Sequence, residues 1–178
     1  MNDAEIVSLD TMTIIWGVSD RERIRKGEYK QGEEDKANRS IHLIDHLDSS
    51  DVVVTISTVT IAEVLAGCSE ANHAAIIDIL EKRFEILPFE VDAARLSARL
   101  YRKYMPELRV GGASRDVVKN DLDIIASSYT FGSRCFYTCD TRARKIAVEL
   151  GMPAPELPQH PKFLFPMNSL DPPPEENS

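Results

Sequence analysis

The chain has 178 residues and is 43% hydrophobic, enough for one domain with a sizeable core rather than two. Its formal charge of −8 and pI near 5.0 argue against a broad, sequence-independent grip on nucleic-acid phosphates, although Asp171, Glu175 and Glu176 crowd the last dozen residues and leave the rest less acidic. Three cysteines (Cys68, Cys135, Cys139) form no disulfide framework and suit a reducing compartment, and no apolar run reaches the ~18 residues of a membrane span, so a cytoplasmic protein without membrane association is expected.

In chain order, Ile6-Val7-Ser8-Leu9 reads as a short apolar strand ending on Asp10, followed by an apolar helix from Thr11 to Val18. Ser19 to Arg39 is charged, with little to bury, and is expected to be an exposed helical excursion or a mobile loop. Ser40 is placed as the cap of a helix from Ile41 to Leu47. His42 and His46 stand four apart on it, half of a metal site; H-L-I-D-H lacks the Glu of a zincin and has no third ligand, so a solvated face is expected. Val52 to Ile56 is β-branched and apolar throughout, the pattern of a central strand covered on both faces.

A helix then begins at Ser57-Thr58 and stops at Gly67, with Glu63 inside it. Ala71 to Lys82 reads as a helix, Phe84 to Leu87 as a strand, and Asp92 to Met105 as an amphipathic helix ending at Pro106. Arg109 to Arg115 is a loop with two glycines and two arginines, and it lacks the Gly-Lys-Ser/Thr of a phosphate-cradling loop.

The stretch K-N-D-L-D-I-I-A-S-S-Y-T-F-G-S-R-C-F-Y-T-C-D, Lys119 to Asp140, is the most informative. Asp121 shares a helical stripe with Ile124, Ile125 and Ser128, so it starts a helix near the sheet and faces the apolar side. Asp123 lies about 200° round that helix and is expected to be solvated, or at most a supporting group. Cys135 to Thr138 reads as a buried strand, and Asp140 sits at the N-cap of a helix from Thr141 to Leu150. Cys135 and Cys139 share a face and are assigned to core packing. Gly151 stops regular structure. Eight of the ten prolines fall between Pro153 and Pro174, so Phe163-Leu164-Phe165 is expected to fold back on the core and Asn168 to Ser178 to be disordered. The domain is drawn at residues 1–166, with an acidic proline-rich tail at 167–178.

Short buried strands alternating with helices imply a three-layer α/β/α domain with a mainly parallel sheet, whose sites form at the carboxyl ends of the strands. Asp10, Glu63, Asp121 and Asp140 all fall there. Taken singly, Asp10 and Asp140 serve as N-caps and Thr60-x-x-Glu63 as a capping box. Taken together, they can converge on one cleft. Two carboxylates ~5 Å apart repel by about 3 kcal/mol at an effective dielectric of 20, so four of them call for cations, and hard oxygen ligands select Mg²⁺ or Mn²⁺. A divalent pair on such a cleft suits hydrolysis of a phosphodiester.

I-V-S-L-D-T-M-T-I-I, S-T-V-T-I-A-E-V-L-A-G, K-N-D-L-D-I-I-A-S-S and F-Y-T-C-D resemble, in order, the acidic signatures of PIN-domain nucleases, VapC-type toxins above all. The resemblance spans about Ile6 to Gly151. It implies a metal-binding, catalytic quartet of Asp10, Glu63, Asp121 and Asp140, with Thr138 as a nearby hydroxyl; Asp123, from its helical phase, is at most an accessory group. It also implies an endoribonuclease that uses Mg²⁺ or Mn²⁺, a small antitoxin partner and a homodimer. The excursion from Ser19 to Arg39 and the tail exceed a minimal family member, and a last strand after Leu150 is not evident.

Arg115, Lys119 and Arg142 are the foremost candidates to guide RNA, with Arg21, Arg23, Arg25, Lys26 and Arg144 as further basic groups. A dehalogenase-like phosphatase is set aside because the position two after Asp10 is Met12. A non-toxin PIN nuclease, a receiver-like domain and a catalytically silent acidic binding module are the alternatives.

Overall fold

The computed structural model describes residues 5–30, 32–110 and 115–159, except for the side chains of 107–110 and 115. Four strands, β1 (Glu5–Leu9), β2 (Val52–Ser57), β3 (Glu85–Leu87) and β4 (Cys135–Tyr137), form one sheet in the order β3-β2-β1-β4. All pairings are parallel. The helices are α1 (Thr11–Ile14), α2 (Arg21–Arg25), α3 (Glu34–Asp48), α4 (Thr58–Ala66), α5 (His73–Arg83), α6 (Val91–Val110), α7 (Arg115–Phe131) and α8 (Thr141–Glu149). A π-helical turn (Ile15–Ser19) follows α1 and a 3-10 turn (Glu70–Asn72) precedes α5.

Strand alternation sorts the core into two layers. Val7, Leu9, Ile56 and Cys135 face one side and pack with Leu43, Ile44 and Leu47 of α3 and Leu80 of α5. Phe136 faces the other side, with Leu96 and Leu100 of α6, Leu122 and Ile125 of α7, and Ile146 of α8. This is the three-layer α/β/α arrangement expected from the alternation of elements.

The α7 side also carries hydroxyls. Ser8 Oγ lies 2.6 Å from both Thr55 Oγ1 and Ser133 Oγ, and Ser57 Oγ lies 3.4 Å from Ser127 Oγ. Paired with one another, these buried groups are satisfied. After α7, Gly132 adopts φ +91°, and the Ser133 N–H donates to Ser128 O at 3.0 Å, closing a Schellman turn that returns the chain to the sheet as β4.

Several expectations are corrected. The span from Ser19 to Arg39 is helical in α2 and the start of α3 and mostly exposed or half-buried among its described residues, but it is anchored: Ile24 is 5% exposed, Ala37 is fully buried, and both pack with Trp16 and Ile41 in a satellite core. Ser40 is not a cap but lies inside α3, its hydroxyl donating to Lys36 O at 2.9 Å. The close seat of the π turn on α3 explains Gly17, since a Cβ there would stand 2.5 Å from Ile44 Cγ1. Pro106 does not end α6, which runs on to Val110, and α7 begins at Arg115 rather than Asp121.

Beyond α8, residues 151–159 contain no strand. They are nevertheless tied to the sheet by the Phe136 N–H donating to Pro153 O at 2.9 Å, and by buried Met152, Ala154 and Leu157. Phe163-Leu164-Phe165 and the tail lie outside the described residues, as do parts of the Arg109–Arg115 loop.

Candidate active site

The chain leaves β1 toward β2 and β3 on one side and returns as β4 on the other, so the gap beyond β1 and β4 is the switch point of the sheet. Leu9 is in register with Tyr137. The chain therefore emerges from both strands at the same edge, with Asp10 just beyond β1 and Thr138 to Asp140 just beyond β4.

Asp10 caps α1 with one oxygen and serves the rim with the second. Its Oδ1 accepts from the Thr13 N–H at 2.8 Å, and its Oδ2 accepts from the Thr138 hydroxyl. The Thr138 hydroxyl oxygen in turn accepts from the Asp140 N–H at 2.9 Å. Asp140 divides its oxygens similarly. Oδ1 takes the Arg142 and Ala143 N–H groups at 2.6 and 3.2 Å, and Oδ2 pairs with the Arg142 guanidinium at 3.0 Å. The cap and site readings of these residues are thus compatible, because a cap occupies one carboxylate oxygen.

Glu63 is not part of a capping box. The cap of α4 is Ser57, whose Oγ accepts from the Val59 N–H at 3.2 Å, and Thr60 Oγ1 is buried without a hydrogen-bond partner. Glu63 instead crosses between elements. Its Oε1 accepts from Asn120 Nδ2 at 2.7 Å and its Oε2 from the Thr11 hydroxyl. Neither Thr11 nor Asn120 stood out in the sequence. Their only signal is adjacency: each flanks an acid of the cluster, Asp10 or Asp121.

Asp121 lies one and a half turns into α7. Burial first, then the negative charges of Asp140, Glu63 and Asp10, push its carboxyl up to about 7, with Arg142 partly offsetting them. Four acids from four separate elements therefore share one electrostatic environment. Burial also raises the Asp10 carboxyl, against the hydrogen bonds from Thr13 and Thr138. At Asp140 burial acts upward too, but the bonds from Arg142 and Ala143 outweigh it and hold the group below its ordinary value.

Asp123 is corrected. It is 8% exposed rather than solvated, and it accepts from the Ser97 hydroxyl of α6, on the side of α7 away from the cluster. Among the RNA-guiding candidates, Arg142 stands at the acids and Lys119 is exposed on α7, while the Arg115 side chain lies outside the described residues. Arg21 pairs with Asp45, Arg23 with Asp20, and Arg144 with Glu156. A cleft of about 180 Å³ opens beside Thr138, walled in part by Lys36, Arg39 and Thr141.

Carboxylate oxygens without thiolate or imidazole fit a hard divalent cation. As the side chains stand, no three His, Cys, Asp or Glu groups among the described residues are gathered closely enough to ligate one ion. Glu63 is turned to Thr11 and Asn120, and Asp140 to Arg142. The pair of His42 and His46 likewise gains no third ligand among them.

Fold and site together define a class: a parallel-sheet domain, covered by helices on both faces, with a cluster of carboxylates at its switch point. The chain belongs to the PIN domain family, whose model matches residues 7–149. Solved structures of similar fold include VapBC2 from Rickettsia felis bound to a DNA fragment from its promoter (TM-score 0.56, 16% identity, 86% of this chain and 99% of that one). They also include VapBC-1 from nontypeable Haemophilus influenzae (0.54, 16%, 85% and 98%) and DNA-bound VapBC from Salmonella typhimurium (0.51, 20%, 87% and 99%). No curated protein matches the sequence. No helix among the described residues is long and apolar enough to cross a membrane.

Proposed function

We propose that this chain is an endoribonuclease dependent on Mg²⁺ or Mn²⁺, the toxin of a toxin–antitoxin pair, with Asp10, Glu63, Asp121 and Asp140 holding the metal. One observation carries the reading: Asp121 is pushed up to about 7 by burial and by the other three acids. A buried carboxylate with three further acids as neighbours is stabilised by a cation. When bound, such a cation polarises phosphoryl oxygens and acidifies water.

The chain's own residues divide the remaining work. Thr138 ties Asp10 to the Asp140 backbone and so sets the spacing between two of the acids. Thr11 and Asn120 orient Glu63 from either side. Arg142 pairs with Asp140, and its guanidinium is proposed to meet a phosphate of the substrate at the acids. Lys119 and Arg115 are proposed to guide the rest of the strand.

Support for a small antitoxin comes from the fold neighbours, which were solved as VapBC complexes, and from charge, since the four acids at the sheet edge favour a basic segment of a partner. The reading includes a homodimer, a cytoplasmic location, a nuclease domain over residues 1–166 and a separate tail over 167–178. The test is cleavage of a labelled RNA with Mg²⁺, with Mn²⁺ and with EDTA, for the native chain and for Asp10→Asn and Asp121→Asn. Cleavage is expected only with metal and only with both acids. Cleavage that survives EDTA, or survives either substitution, overturns the assignment.

A further inference from the structure

α6 carries two stripes. Ala93, Leu96, Leu100 and Tyr104 face the core, whereas Ala94, Ser97, Ala98, Tyr101 and Arg102, at i, i+3, i+4, i+7 and i+8, line a cavity against α7. That cavity has a volume of about 490 Å³ and is completed by Phe89, Lys119 and Asp123. It falls within the ~300–1,000 Å³ range of small-molecule sites. None of the four clustered acids lines it.

The chemistry of the lining is ordered. Asp123, only 8% exposed, supplies a carboxylate that receives one neutral hydroxyl, from Ser97. Among the described residues no cation pairs with it, although a buried charge ordinarily is paired. Phe89 and Tyr101 contribute two aromatic rings. Arg102 and Lys119 are both exposed, and among the described residues neither forms an ion pair.

An acceptor at the buried end, aromatic walls and two cations at the exposed end complement a flat ring that has a donor edge and carries an anion. Guanine has two adjacent N–H donors, the ring N1–H and the exocyclic amine, which a carboxylate accepts together. Adenine, cytosine and uracil set an acceptor beside each donor, so a carboxylate gains one bond and meets one repulsion. A purely cationic ligand would suit Asp123 but not Arg102 and Lys119. A phosphate suits both of those.

We propose that the cavity between α6 and α7 binds the guanine of a nucleotide, with Asp123 reading the base and Arg102 and Lys119 holding its phosphate. Resting on the ribonuclease reading, the natural source is a guanosine of the substrate strand, lodged across α7 from the acids, about a helix diameter of ~10–12 Å away. The same chemistry also admits a free guanine nucleotide.

The experiment is calorimetric titration of the full chain with 5′-GMP, AMP, CMP and UMP, and with argininamide as a purely cationic probe, in EDTA, which needs no cleavage and so stands or falls apart from the nuclease assignment. GMP is expected to bind at least tenfold more tightly than the others. Asp123→Asn is expected to weaken GMP at least tenfold. Ala98→Phe, at an exposed helical position, is expected to fill the cavity and abolish binding while melting like the native chain. Equal affinity for GMP and AMP, tighter binding of argininamide, no GMP binding at millimolar concentration, or GMP binding unchanged in Ala98→Phe each overturns the proposal. With GMP binding in hand, cleavage that requires a guanosine in the RNA assigns the pocket to the substrate, and cleavage indifferent to guanosine assigns it to a free nucleotide.

Discussion

Asp121 and Asp123 are two residues apart on one helix, and the two sides of α7 on which they lie do opposite things with a carboxylate. Asp121 points to the sheet edge, where burial and three further acids push it up to about 7. Asp123 points to α6, more withdrawn from solvent than the half-buried Asp121, and meets a hydroxyl donor and a cavity with cations at its rim. Burial alone therefore does not set the environment of a carboxylate. What separates the two is what each side of the helix faces: three further carboxylates at Asp121, a neutral hydroxyl donor at Asp123.

Asp121→Asn is expected to have the largest effect. RNA cleavage is expected to fall by about 10²-fold or more, while the metal-free protein melts no lower, because a repulsion has been removed. Single-turnover rates and thermal melts check this. A loss of stability together with activity would place Asp121 among the structural acids.

Next in size is the response to metal and pH. Between about pH 4 and 7 folded Asp121 keeps a proton that the unfolded chain has lost, so the metal-free protein loses stability as pH rises through that window, by a few kcal/mol at most. A cation at the cluster must displace that proton below pH 7. Millimolar Mn²⁺ is thus expected to raise the melting temperature more at pH 8 than at pH 6, as scanning calorimetry would record. A shift independent of pH, or one retained in Asp121→Asn, would detach Asp121 from the ion.

Asn120→Ala, which releases one side of Glu63, is expected to weaken Mn²⁺ binding by about 10-fold to 100-fold, less than loss of an acid itself. Unchanged Mn²⁺ affinity, measured by titration, would show that Glu63 needs no such support. The smallest effect belongs to Asp123→Asn. The amide keeps a hydrogen bond to Ser97, so chemical denaturation should register about 1 kcal/mol, and the metal-induced rise in melting temperature should be unaltered.

Local pattern was sufficient for the order of strands and helices, for the acids that end β1 and follow β4, and for the opposite orientation of Asp121 and Asp123. Each of these rests on a period of two or 3.6 residues, or on a cap adjacent in the chain. The same local reasoning failed at Pro106. A proline costs an isolated helix about 3 kcal/mol, but here Tyr104 and Met105 are buried just before it and α6 continues to Val110. It also did not show how Ser19 to Arg39 is anchored, through Ile24 and Ala37 against Trp16 and Ile41.

The candidate site divides along the same line. Asp10, Glu63, Asp121 and Asp140 were legible because each stands at a recognisable point of a local motif. Thr11 and Asn120 were not, because their hydrogen bonds to Glu63 span 52 and 57 residues of chain. The burial of Asp123 was hidden for the same reason, since Ser97 lies 26 residues away on another helix. Sequence determined which face each carboxylate took, because helical phase is a property of the residues themselves. Only the tertiary structure decided what that face met, because solvation and charge pairing depend on groups that folding brings from elsewhere in the chain.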